Sequence, residues 1–168
     1  MVIGWLFVTK KPDLPTALNG VLAGLVAITA PCAYVTPGFS ILIGAIGGVI
    51  VVYGAILLEK LRIDDPVSAV PVHLMNGIWG TLAIGIFATE NGVTGLVAGN
   101  SGQLVAQLIG VGAVGLWCVL TGTALFYSIK AIVGLRVSRE EEVKGLDIEE
   151  HGTEAYPNDV VGALGVAD

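Results

Sequence analysis

The chain has 168 residues, of which 54% are hydrophobic and 13% are charged. A soluble domain carries about 25% charged residues, so the composition excludes an ordinary soluble protein and favours a membrane protein. The formal net charge is −6 at pH 7, which argues against nucleic acid and anionic lipid headgroups as partners.

The N-terminal stretch is apolar but short. Residues 1–8 contain no charge and are followed at once by Lys10 and Lys11. Crossing a bilayer takes about 20 residues, and a signal peptide would have a charged region ahead of its apolar run. We therefore expect residues 1–9 to be the end of a partial membrane helix whose beginning is missing, with a short interfacial helix as the alternative.

Longer apolar segments follow, each close to the roughly 20 residues that span a bilayer. Asp13, just before the first of them, is a residue type that caps helix N-termini. In lipid every backbone polar group needs an internal partner, so these segments must be helices. The predicted fold class is all-α, a polytopic membrane helical bundle with four full spans and one partial span in a transmembrane region of residues 1–134. The full spans are predicted at about 15–35, 39–58, 66–88 and 104–130.

Lysine and arginine occur at one side of the predicted bundle only. They lie before the first full span, between the second and third, and after the fourth. This positive-inside pattern predicts a multi-pass protein with a cytoplasmic C-terminus. Residues 136–168 hold nine acids and three bases, which accounts for the whole net charge. Residues 135–168 are therefore predicted to form an acidic cytoplasmic tail.

Glycine and cysteine residues suggest close packing. Pairs of glycines four residues apart are typical of helices that approach closely in membranes. The two cysteines, Cys32 and Cys118, form no motif of a metal site or a disulfide framework, so we expect both to be small core residues. The glycine pairs are Gly20 with Gly24, and Gly44 with Gly48.

The third span is the most informative segment. Asp65 followed by Pro66 is typical of an N-cap and the first helical position, so we expect the helix to begin there with Asp65 as its structural cap. Pro71 should weaken the hydrogen-bond ladder. His73 follows Asp65 by eight residues, about 12 Å along an α-helix, and so lies near the middle of the bilayer. Asn76 lies three residues further on the same face, as a hydrogen-bond partner or a packing residue.

A histidine at this depth is chemically unusual. A charged side chain at mid-membrane costs about 2.5–3.5 kcal/mol, whereas a neutral imidazole avoids that cost and offers one donor and one acceptor. Such an imidazole needs a polar partner or a pore. The residues alone leave two interpretations of His73 open: a structural histidine bonded to a neighbouring helix, or a group on a transport path.

Several stretches resemble the ammonium transporter (Amt/Mep/Rh) family. The run from Asp64 to Gly80 is similar to the penultimate core helix of that family, and Gly24–Tyr34 is similar to an earlier helix. The likeness continues in order over nearly the whole chain. Its most specific part is the tail motif, formed by Gly134-Leu135-Arg136-Val137, Glu140-Glu141-Glu142, Lys144-Gly145-Leu146-Asp147, His151-Gly152 and Glu154-Ala155-Tyr156.

The resemblance implies ammonium-transporter-like architecture and function. Members of the family have eleven membrane helices, form homotrimers in the cell (plasma or inner) membrane, and move ammonium or ammonia across the lipid bilayer through a narrow apolar pore. This chain would contribute the end of the seventh helix and the eighth to eleventh. His73 would be the second of two paired pore histidines, with Ala69 and Asn76 as possible pore-lining residues.

The resemblance also implies a regulatory tail. That tail packs under the bundle, touches the next subunit and responds to a PII-type signal protein, with Gly145, Asp147 and Tyr156 as its regulatory residues. The alternative function is a non-conducting fragment that acts only through this trimer-contacting tail. We expect no cofactor and no metal. An enzyme is the least expected class, because the sequence has no recognisable nucleophile–base pair, metal cluster or phosphate loop.

Overall fold

The computed structural model describes residues 10–11 and 13–154, and within them every regular element is helical. This confirms the predicted all-α class. Two compact units, residues 1–116 and 117–168, divide within the fourth α-helix. The elements in chain order are α1 (Leu14–Thr29), α2 (Pro37–Lys60), a π-helix (Val70–Met75), α3 (Asn76–Phe87), a 3₁₀ turn (Leu96–Ala98), α4 (Ser101–Ile132), α5 (Arg139–Lys144) and α6 (Asp147–His151).

The ends of α1 and α2 follow from their flanking residues. The Asp13 carboxylate caps α1 by accepting the Thr16 backbone N–H at 2.8 Å, and hydrogen bonds from the Thr16 side chain and backbone lower the pKa of Asp13. The hydroxyl of Thr36 caps α2 in the same way. The prediction that the first span reaches residue 35 is wrong: α1 ends at Thr29, because Pro31 lacks the N–H that a continuing helix requires.

Three described helices are long and apolar enough to cross a membrane by length and composition. They are α2 with 24 residues, the continuous π-helix and α3 with 18, and α4 with 32. The 16 residues of α1 are about 24 Å long at 1.5 Å per residue, which is shorter than the apolar core of a bilayer. The multi-pass character is therefore supported, while the count of four full spans stays a prediction. Residues 1–9 lie outside the described residues.

Two clusters of buried side chains hold unit 1 together. The first joins α1, α2 and the π-helix through small and β-branched residues, and the second joins α1, α2 and α3. Phe39, Trp79 and Phe87 surround the second cluster, and the Phe39 and Phe87 rings are 5.1 Å apart. The buried members are Ala23, Val51, Val52 and Val72 in the first, and Ala27, Val35, Ile43 and Ala83 in the second.

Close helix approach occurs at one predicted glycine and at several that were not predicted. A methyl group added to Gly24 would lie 4.0 Å from the backbone oxygen of Gly44, so α1 and α2 approach each other at this pair. A methyl group added to Gly44 itself or to Gly48 would meet no atom within 4 Å, so the prediction that these two residues leave room for a neighbouring helix is wrong within the described chain. The reason is that a four-residue spacing does not show which face of α2 meets a neighbour. Added methyl groups would instead collide at Gly47, Gly54 and Gly80.

Unit 2 comprises the second half of α4 and the two short tail helices. Ser138 and Glu141 form a capping box at the start of α5, since each side chain accepts the backbone N–H of the other. The Ser138 side chain, followed by its backbone N–H, lowers the pKa of Glu141. Gly145 ends α5 with φ 91°, a left-handed value that favours glycine.

Both cysteines are exposed within the described chain. The prediction that Cys32 and Cys118 are core residues is therefore wrong there. Cys32 follows Pro31 in the turn after α1, where an apolar sequence neighbourhood does not imply burial. Cys118 lies on α4, and no residue of that helix is buried.

Candidate functional site

The segment that carries His73 begins later than predicted. Residues 66–67 form a turn, Ser68 has φ 58°, and the regular helix starts at Val70 rather than at Pro66. Asp65 still holds the start of the helix, because its two carboxylate oxygens accept the backbone N–H groups of Ala69 at 2.8 Å and Val70 at 2.9 Å. The carboxylate thus reaches four and five residues ahead, across an irregular turn.

A π-helix, with hydrogen bonds from residue i to i+5, replaces the predicted α-helix over Val70–Met75. Pro71 lies at its start, in the first turn, where a backbone N–H has no partner inside the helix. The proline therefore costs little there. The weakened ladder predicted around Pro71 takes the form of this single wide turn, which runs on directly into α3.

His73 lies on the outer side of the wide turn. Its side chain is exposed, as is that of Ala69, whereas Pro71 and Val72 are buried against the bundle. Within residues 10–11 and 13–154 the imidazole has no hydrogen-bond partner. The structure therefore places His73 and Ala69 on one exposed side of the helix.

Asn76 points the other way, into the bundle. Its side chain is 0% exposed, and its Nδ2 donates to the backbone carbonyl of Pro71 at 2.9 Å. The prediction that His73 and Asn76 share a face is wrong, because the backbone rotates less per residue in a π-turn than in an α-turn. Residues three apart therefore fall further short of a full turn and point in more different directions. Of the two roles considered for Asn76, the structure supports packing between helices.

Two glycines of α2 accommodate the inner side of the π-turn. A methyl group added to Gly54 would lie 2.7 Å from the sulfur of Met75 and 3.0 Å from Cβ of Pro71, and one added to Gly47 would lie 2.8 Å from Oδ1 of Asn76. Gly47 and Gly54 are seven residues apart, about two helical turns, so they lie on one face of α2. That spacing was visible in the sequence but was missed.

A hydrogen bond between side chain and backbone joins α3 to α2 beside this site. The indole Nε1 of Trp79 donates to the backbone carbonyl of Ile43 at 3.1 Å. A partly buried indole usually finds such a partner, and this bond links α3 to α2 three residues after Asn76.

A cavity of about 370 Å³ lies in unit 1, away from His73. It opens around the connection between α2 and the π-helix, with an apolar wall from α2. Its lining does not include His73 or Ala69. The polar lining residues are Thr16, Asn19, Glu59, Asp64, Asp65 and Ser68.

The tail residues singled out from the sequence fall in unit 2. Gly145 and Asp147 line a cavity of about 310 Å³ together with Lys144 and Glu154. Tyr156 lies outside the described residues. In the described part of the chain, no three His, Cys, Asp or Glu side chains are grouped so that they could hold a metal ion.

These features define a class of protein: a multi-pass helical membrane protein with a histidine inside one apolar helix. Residues 1–156 match the sequence profile of the Ammonium Transporter Family, so the chain belongs to this family.

The relatives agree in name. The chain is 50% identical over 167 residues to ammonium transporter Amt2 of Archaeoglobus fulgidus, covering 94% of this chain and 36% of that protein. It is 35% identical to the ammonium transporter of Bacillus subtilis, covering 92% of this chain and 41% of that protein. The chain thus spans well under half the length of these relatives. Both are named transporters and not enzymes.

Solved structures show the same architecture. A protein described as a sensor Amt protein superposes with a TM-score of 0.80 at 35% identity, over 89% of this chain and 37% of that one. Saccharomyces cerevisiae Mep2 superposes with a TM-score of 0.76 at 28% identity, over 83% of this chain and 34% of that one.

Proposed function

We propose that this protein moves ammonium or ammonia across a membrane, and that His73 lies on the conduction path. Membership of the Ammonium Transporter Family supports the substrate. The observation that carries the assignment of the site is the exposed imidazole within the 18-residue apolar segment Val70–Phe87, with no hydrogen-bond partner among the described residues.

The physical argument begins with the cost of burying polar groups. An unpaired imidazole facing lipid tails would lose its hydrogen bonds to water without replacement, which is unfavourable. A polar group inside a membrane helix therefore faces a partner or an aqueous path. The exposed side that carries His73 and Ala69 is where the rest of the transport path would lie.

The proposed chemistry is a proton relay. A bare ammonium ion in an apolar passage loses most of its solvation, so the passage favours neutral ammonia over the cation. A neutral imidazole has one donor and one acceptor, and it can take a proton from ammonium on one side and return it on the other. His73 would be one relay group, and Ala69 would be a small neighbour that leaves room for ammonia beside the imidazole.

The test is ammonium flux by the native protein in proteoliposomes. His73→Ala should lower ammonium-driven current or change the selectivity between ammonium and methylammonium. Tyr53→Phe is the matched control, because it removes an exposed polar atom from another apolar helix. Flux and selectivity equal to wild type in His73→Ala would refute the role of the imidazole.

A second function, regulation by the tail, is favoured by the geometry at Gly145. Its φ of 91° and ψ of 156° turn the chain between α5 and α6, both of which carry acidic residues in their first turn. We propose that this acidic, cytoplasmic segment contacts a neighbouring subunit of a homotrimer and responds to a PII-type signal protein. Gly145→Asp should impair transport without reducing insertion into the membrane, and normal uptake by that variant would refute the proposal.

A further inference from the structure

Among the described residues, the turn that carries His73 is packed against neighbours on its inner side and exposed on its outer side. Pro71 and Val72 are buried against the bundle, while His73 and Leu74 are exposed. The direction of the imidazole therefore depends on whatever keeps this turn in its wide form. A wide turn of this kind is uncommon and often marks a functional position, so the contacts that maintain it are of interest.

Asn76 makes two of those contacts. Its backbone N–H donates to the carbonyl of His73, and its side-chain Nδ2 donates to the carbonyl of Pro71 at 2.9 Å. Asn76 thus bonds two backbone carbonyls of the wide turn, those of Pro71 and His73. The side-chain bond is buried, so water does not compete for it.

The remaining polar atom of Asn76 shows that the residue is not there for packing alone. Oδ1 is buried and has no hydrogen-bond partner among the described residues. It faces Gly47, where an added methyl group would lie 2.8 Å away. A leucine has nearly the same shape and would bury no unpaired oxygen, so asparagine at this position contributes something that a packing residue does not.

We propose that Asn76 is a positioning residue for His73. By holding the carbonyls of Pro71 and His73, it maintains the π-turn and sets the direction in which the imidazole leaves the helix. The effect on transport rests on the proposed function, whereas the effect on the position of His73 does not.

Imidazole resonances test the positional part directly. In the native protein labelled with ¹⁵N-histidine, the His73→Ala variant assigns the signal of His73. Asn76→Leu should shift that signal and leave the signal of His151 unchanged. Thr81→Val is the matched control, because it removes a side-chain donor that bonds a backbone carbonyl of the same helix, that of Gly77 at 2.9 Å.

Ammonium flux in proteoliposomes tests the functional part. Displacing a reacting group by about 1 Å can cost about a hundredfold in rate, so Asn76→Leu should lower flux by up to that factor. Thr81→Val should transport like wild type. In a His73→Ala background Asn76→Leu should cause no further loss, because a positioning residue acts through the group it positions.

The outcomes separate the two proposals. Unshifted His73 resonances in Asn76→Leu would overturn the positioning role. A flux loss of equal size with and without His73 would show that Asn76 acts in some other way. If His73→Ala transports normally while Asn76→Leu shifts the imidazole signal, the proton relay by His73 is refuted and the positioning of His73 by Asn76 is supported. Asn76→Ala replaces Asn76→Leu in every measurement if the leucine variant does not fold.

Discussion

Gly47 is the position where α2 comes nearest to two neighbouring helices at once. A methyl group added there would lie 2.8 Å from Oδ1 of Asn76, 3.1 Å from Cβ of Ala27 and 3.2 Å from the carbonyl of Ala23. All three contacting residues are fully buried. The two alanine contacts are with Cβ and backbone atoms, which cannot rotate away, and the Asn76 amide is held by its hydrogen bond to the carbonyl of Pro71. Gly47→Ala must therefore push α2 away from its neighbours or displace Asn76.

Gly48 supplies the matched control. The same methyl group on Gly48 meets no atom within 4 Å. Alanine in place of glycine favours a helix by about 1 kcal/mol at either position, so this contribution cancels between the two variants. Overpacking a tight interface costs about 1–3 kcal/mol. We expect Gly47→Ala to have a free energy of unfolding lower than that of Gly48→Ala by this amount.

Unfolding of the purified protein in mixed micelles, by titration with a denaturing detergent, measures the difference. Adding Asn76→Ala to Gly47→Ala should restore part of the loss, because the shortest of the three contacts disappears. Equal free energies of unfolding for the two glycine variants would show that the interface has room for a methyl group, and the argument from close approach would fail.

The remaining predictions concern the caps and the link between α2 and α3. Asp65→Ala should lower the free energy of unfolding by about 0.5–2 kcal/mol, as for a lost helix cap, with Asp65→Asn intermediate in the same titration. Trp79→Phe should cost about 0.5–1.5 kcal/mol through the lost bond to Ile43, and a midpoint equal to wild type would contradict this. Ser138→Ala should raise the pKa of Glu141 toward 4.5, measured by carboxyl NMR titration, because the lowering hydrogen bonds are lost. Since folding lowers that pKa, α5 in the wild type is stabilised above pH 4.5 and loses this stabilisation as the pH falls below it. The helical signal of α5 should therefore decline less on acidification in Ser138→Ala than in the wild type.

The long helices could be predicted from composition because capping or charged residues stand at their ends. The second span was predicted at 39–58, and α2 runs from Pro37 to Lys60, between a threonine cap and a terminal lysine. The end of α1 was placed too late, because the apolar run continues past Pro31 without a change in composition. Hydropathy reports where a segment is apolar, and it does not report where the hydrogen-bond ladder stops.

The depth of His73 in the membrane stays a prediction from counting residues, and the face on which it lies could not be predicted in this way. Counting assumes an α-helix, and the π-turn breaks that assumption. Pro71 indicates that the hydrogen-bond ladder is weakened there, but it does not indicate that the turn is a π-turn. Asn76 was therefore placed beside His73, although it lies inside the bundle. The importance of Gly47 and Gly54 was missed for a related reason, since which glycine meets a neighbour depends on how α1 and α3 are rotated against α2.

The wide turn can also be regarded as one extra residue spliced into an otherwise continuous helix. Deleting a single residue between Val72 and Met75 would restore the i to i+4 pattern and leave the contacts of α3 in register. The part of the chain before the deletion would then turn by about 100° about the helix axis. Such a deletion would shorten the protein by one residue, and a different face of the segment before the deletion would then occupy the side that His73 and Ala69 occupy now.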